Sequence, residues 1–212
     1  MDTNRLIRTI AMDARLKATP LSTVWWAAIG LAIISAAIGF FAMLGPRPDL
    51  AMAAETPRFV LKFVFAVTLA ASAFGCTYTL ARPGEAWRKA VPYLATSPAL
   101  LAIAIIAELL VLPSDSWSAT MIGKNSIVCL AYITFLGLGP LAIFLWALRY
   151  CAPTRPVMAG AAAGLLAAGI SAAFYAAHCT DDSPLFVAAW YTIAAAVLAV
   201  LGALGAGRYA RW

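Results

Sequence analysis

Residues 157–206 read VMAGAAAGLLAAGISAAFYAAHCTDDSPLFVAAWYTIAAAVLAVLGALGA. Two apolar runs, 157–177 and 185–206, flank a short polar link, His178-Cys179-Thr180-Asp181-Asp182-Ser183-Pro184. Each run is long enough to cross a bilayer as a helix, because about 20 residues at ~1.5 Å rise span the ~30 Å hydrocarbon layer. Together they predict a helical hairpin with its turn at a membrane face. That turn holds the only histidine, one of four cysteines and two carboxylates. A polar, thiol-bearing turn in that position is a candidate sensor.

The same pattern recurs upstream at 24–44, 59–80, 93–112 and 126–148, giving six spans. With 64% hydrophobic and 11% charged residues and a mean hydropathy of +0.88, the chain has too little polar surface to coat a water-soluble globule. No span shows the polar alternation of a barrel strand, so helices are expected throughout. The first span follows a long tail and exceeds the ~7–15 residues of a signal h-region, so no cleavable signal peptide is expected. The fold class predicted is an all-α membrane protein. A six-transmembrane-helix bundle (residues 21–212) follows a short N-terminal cytoplasmic helix in an amphipathic tail (residues 1–20).

Lys and Arg divide unequally between the two faces. One face carries Arg5, Arg8, Arg15, Lys17, Arg82, Arg88, Lys89, Arg149, Arg155, Arg208 and Arg211, and the other only Arg47, Arg58, Lys62 and Lys124. By the positive-inside rule both termini of this multi-pass membrane protein are cytoplasmic. The net charge of +6 then reports topology, and no nucleic-acid partner is expected. Trp25, Trp26, Trp87, Trp117 and Trp212 fall near span ends, where aromatic rings favour the interface.

This topology sorts the cysteines. Cys76 and Cys151 belong to the cytoplasmic side, which keeps thiols reduced, and Cys129 and Cys179 to the oxidising outer side. Glu108, His178, Asp181 and Asp182 join the outer layer. Two thiolates and an imidazole, here Cys129, Cys179 and His178, suit a soft or borderline metal ion. The same two thiols can instead form a disulfide or take an oxidant, and the bland alternative is a buried cysteine serving as a small apolar residue. No resident cofactor is expected beyond a heavy-metal ion held transiently. Asp181, Asp182, Ser183 and Pro184 also make a good helix start, predicting caps for span six.

Other features carry structural readings. Gly160 and Gly164 have the small-xxx-small spacing of closely packed helices, within one chain in a bundle of this size. Gly137-Leu138-Gly139-Pro140 predicts a kink in span four. Glu108 is the sole acid well inside a span, a functional candidate by default. Trp190 and Tyr191 read as a packing pair. In the tail, Leu6, Ile7, Ile10, Ala11 and Ala14 repeat at helical spacing, with Arg5, Arg8 and Arg15 largely elsewhere around the helix. Such a helix can lie on anionic lipid or dock into a partner's groove.

The chain resembles the NrsF-type negative regulators of extracytoplasmic-function sigma factors, six-span inner-membrane proteins. The resemblance rests on the Leu6-Ile7 pair, the Cys129 span with Gly139-Pro140, Ala152-Pro153 after Arg149, and the Gly-rich fifth span. It continues through His178-Cys179, Asp181-Asp182-Ser183-Pro184-Leu185-Phe186, Trp190-Tyr191 and Arg211-Trp212. It implies a non-enzymatic anti-sigma factor whose tail (Leu6, Ile7, Ile10, Ala14) holds the sigma factor at the membrane. It further implies that Cys129 and Cys179 take part in sensing heavy-metal or oxidative stress. Two other classes remain at this point. A small transporter would place ionisable groups near the bilayer midplane, and a membrane enzyme would need more than one histidine beside Ser183.

Overall fold

A computed structural model describes residues 20–82, 87–151 and 153–209, together with Thr3. The tail positions Leu6, Ile7, Ile10 and Ala14 lie outside the described residues, as do Ala152, Arg211 and Trp212. Six helices are long and apolar enough to cross a membrane: α1 (Leu21–Met43), α2 (Pro57–Leu80), α3 (Arg88–Val111), α4 (Ser126–Arg149), α5 (Pro156–Ala176) and α6 (Pro184–Tyr209). They match the six apolar runs to within a few residues. The largest difference lies in α3, which starts at Arg88, ahead of its apolar run.

Local chemistry sets the boundaries. Pro57 and Pro184 occupy first-turn positions, where the missing N–H costs nothing. Thr56 caps α2 by accepting from the Phe59 N–H at 3.4 Å. Gly45, at φ +72°, closes α1 with its N–H on the Phe40 carbonyl at 3.0 Å. α3 opens with one α-helical turn and passes through a 3-10 segment, Val91–Ala95, around Pro92. α6 contains a π-helical turn, Val187–Tyr191, a local underwinding often found at functional positions.

α5 is the hub, with 67% of its span window buried against 22% for α1 and α3. It packs on α2, α4 and α6, and the small residues on its surface are the reason it can. A Cβ on Gly169 would fall 2.6–2.8 Å from the Ala70 backbone of α2, and one on Gly164 would meet the Leu198–Ala199 backbone of α6. Gly160 faces Gly202 in the same way, so the predicted small-residue spacing does pack helices within the chain. Gly164→Val is therefore expected to destabilise the bundle by about 1–3 kcal/mol or more, since a backbone cannot yield to an inserted methyl as a side chain does. Thermal unfolding of the detergent-solubilised protein checks this.

α4 continues as a helix through Pro140, and Gly137 and Gly139 serve close approach to Leu198 and Ser35. One expectation is corrected. Trp25 is fully buried rather than facing an interface: its ring stacks on Phe144 at 6.2 Å and meets Phe74 and Tyr78 edge-on at 6.4 and 6.5 Å. Trp26, one residue on, is exposed. The large apolar side chains left at the surface, among them Ile38, Phe41, Ile103, Leu110 and Phe135, clothe the outside of the bundle as a lipid-facing helix requires.

Candidate functional site

The links α1–α2, α3–α4 and α5–α6 meet at one end of the bundle, and the α5–α6 link, residues 177–183, is the piece that the others grip. The Arg47 N–H donates to the Ala177 carbonyl at 3.0 Å. The Arg47 guanidinium bridges Asp49, at 2.6 Å, and Asp182, at 3.0 Å, with its Nη1 also 3.3 Å from the Cys179 carbonyl. This fork draws Asp49 below the usual carboxylate range, mainly through its hydrogen bond, and raises the guanidinium further. Lys62, on α2, has no accessible surface. Its ammonium donates to the Cys179 carbonyl at 2.9 Å and pairs with Asp182 Oδ1 at 2.5 Å.

The next two acidic groups of the layer reach other helices. Asp181 accepts from the backbone N–H groups of Lys124 and Asn125 and from Asn125 Nδ2, at 3.2, 2.9 and 2.9 Å. It thus binds the free donors at the start of α4. Ser183 caps α6, its Oγ accepting from the Leu185 N–H at 3.2 Å while donating to Glu108 Oε1 at 3.2 Å. Glu108, 7% exposed, completes a chain to Arg58 on α2 at 3.0 Å. The expected capping of α6 by both aspartates is therefore corrected: Ser183 alone caps α6, Asp181 serves α4, and Asp182 neutralises Lys62 and Arg47. Gly123, at φ +62°, makes room for this arrangement, since a Cβ there would strike the Phe186 ring and crowd Asp181.

Beneath this clamp lie the two thiols. Cys129 is 0% and Cys179 2% exposed, and both are free. Cys129 lies within electrostatic reach of Cys179 and of Lys62. Cys179 Sγ is 3.8 Å from the Asp181 carbonyl and receives the Tyr175 hydroxyl. Burial pushes the Cys179 thiol above its ordinary range, partly offset by Lys62 and by the hydrogen bonds at its sulfur. At neutral pH it is a protonated thiol, guarded from solvent. Tyr191, in the π-helical turn, packs edge-on to Tyr175 at 6.2 Å, and its buried hydroxyl has no partner among the described residues. Trp190 parts from it and donates to the Met121 carbonyl at 3.0 Å.

His178 is not brought to the sulfurs. Its Nδ1 lies 2.9 Å from the Gly45 carbonyl, an acceptor that places the ring proton on that nitrogen. Among the described residues, no group of three or more His, Cys, Asp or Glu side chains is arranged to hold a metal ion. Cys76 and Cys151 are buried in α2 and just after α4, away from this layer. The ionisable side chains described within the spans, Lys62 and Glu108 included, sit within about two turns of helix ends rather than midway.

Lys62 escapes a reading of the sequence because lysine is counted as a marker of loops. The signal was nevertheless present: it falls inside the apolar run 59–80, and an ionisable residue within a span is a functional candidate by default.

The chain is 32% identical, over the full length of both chains, to the anti-sigma-F factor NrsF of Caulobacter vibrioides and to the probable anti-sigma-F factor NrsF of Azospira oryzae. No solved structure matches it significantly. The sequence model of NrsF, described as negative regulator of sigma F, matches residues 11–212. With nearly its whole length matched by that model and relatives aligned end to end, the chain belongs to the NrsF family.

Proposed function

We propose that the chain is an anti-sigma factor of the inner membrane, with both termini cytoplasmic and the Cys129–Cys179 layer facing outward. Its tail docks an extracytoplasmic-function sigma factor through Leu6, Ile7, Ile10 and Ala14. A heavy-metal ion or an oxidant acting on Cys129 and Cys179 loosens that hold. The observation that carries this reading is the burial of two free thiols in and under a link that the α1–α2 and α3–α4 hairpins grip through ion pairs and hydrogen bonds to its carboxylates. Chemistry at the Cys179 sulfur acts on the same link whose carbonyl and carboxylates make those contacts. Cadmium would replace two thiol protons by two metal–sulfur bonds, for which the two cysteines supply soft donors. His178 stays with Gly45.

The relatives' names support a sigma-factor partner, and the excess of Lys and Arg around the termini supports the orientation. The burial of Lys62 sharpens that excess, because it removes one cation from the loops of the opposite end. Isolation of the full-length chain from membranes, with bound proteins identified by mass spectrometry, tests the partner: a sigma factor is expected. Reporter fusions test the orientation. Those after Ala90 and Arg155 are expected to read cytoplasmic, and those after Pro48 and Asp182 external. A cytoplasmic signal after Asp182 removes the outward-facing thiol layer.

A further inference from the structure

Among the described residues, every oxygen that holds the buried Lys62 ammonium comes from the link bearing Cys179. These are the Cys179 carbonyl at 2.9 Å, Asp182 Oδ1 at 2.5 Å and the Asp181 carbonyl at 3.5 Å. The remaining neighbour across the charge is the Phe59 ring at 5.3 Å. An ammonium with no accessible surface depends wholly on such partners. A lift or twist of the link would strand that charge and favour a shift of α2 that brings water to it.

The far end of α2 has a receiver. Phe74 and Tyr78 pack on Trp25 of α1 at 6.4 and 6.5 Å, one turn after α1 begins at Leu21 and leads back into the tail. We infer that Lys62 is the residue through which the state of the Cys179 link reaches the tail: link oxygens hold its ammonium at rest, and their displacement drives α2 against Trp25. This rests on the reading of the chain as a tail-docking anti-sigma factor, and it names the coupling residue of that device.

Asp182→Asn and Lys62→Met, alone and together, test it in the full-length protein in cells, with sigma-dependent transcription and membrane protein level as readouts. Asp182→Asn withdraws the carboxylate while Arg47 keeps Asp49, so Lys62 is the cation left short. It is expected to raise unstressed transcription about tenfold or more, equivalent to ~1.4 kcal/mol of lost retention. Lys62→Met removes the charge that could be stranded, so it is expected to stay repressed and to stop responding to cadmium or peroxide. The double variant is expected to be repressed like Lys62→Met, a reversal that two independent packing injuries do not produce.

A Lys62→Met protein that responds like the parent or is active without stress overturns the inference. So does an Asp182→Asn protein that stays repressed, or a double variant as active as Asp182→Asn. Should Asp182→Asn fail to accumulate, Lys62→Met decides by the same criteria. The thiol reading fails separately: cysteine variants that respond normally would leave the relation between Asp182 and Lys62 standing.

Discussion

Cells carrying Cys129→Ser with Cys179→Ser are expected to show no induction of sigma-dependent transcription by cadmium, chromate or peroxide. The two sulfurs are the thiols of the described link-bearing layer, and serine offers neither a soft donor nor a redox couple. Serine is close in size but brings a hydroxyl to a site without accessible surface. Burying one without a partner costs about 1–3 kcal/mol, so membrane protein level is measured alongside. The direction of the defect is informative: permanent repression means that sulfur modification triggers release, and permanent activity means that the thiol pair holds the repressing state. Cys76→Ser and Cys151→Ser are expected to respond like the parent, because those sulfurs lie apart from the clamped link. A normal response from the Cys129, Cys179 double variant would return both residues to the role of small apolar core groups.

Leu6→Arg with Ile10→Arg is expected to free the sigma factor while leaving the bundle folded. Two guanidinium groups placed on an apolar docking face are desolvated without partners, and losses of about 2 kcal/mol or more at a contact centre are typical. That corresponds to roughly 30-fold weaker retention. Transcription rises without stress, and the partner no longer co-purifies with membranes. Unchanged co-purification sinks the tail as the docking element. A concurrent loss of the membrane protein is not expected, because neither residue belongs to α1–α6.

The bundle was legible because membrane spans are governed by length and composition, and both are visible in one sequence. Gly160 and Gly164 were legible for a similar reason, since a four-residue interval of small groups has few uses other than close helix approach. The clamped link was half legible. Its thiols and carboxylates stood out as polar residues between apolar runs, but their partners lie far away in sequence. Asp182 meets Arg47 across 135 residues, and Asp181 meets Asn125 across 56. Local spacing therefore assigned both aspartates to the nearest helix start, a task Ser183 performs alone. Trp25 and Trp26 illustrate the same limit: adjacent tryptophans at a span end look alike until the neighbouring helices decide which one faces inward. Lys62 was hidden by a rule that treats cations as topology markers, although a lysine inside an apolar run is also the residue most in need of a buried partner.

The central claim is that the chain holds a sigma factor at the membrane and lets it go when the thiol layer is challenged. The direct measurement is the amount of sigma factor co-isolated with the full-length protein from membranes of the same cells, before and shortly after cadmium or peroxide. The account predicts a stoichiometric complex beforehand and a loss of most of the bound partner afterwards, with the membrane protein itself unchanged in amount. Equal retention in both samples, or no sigma factor in either, would contradict it.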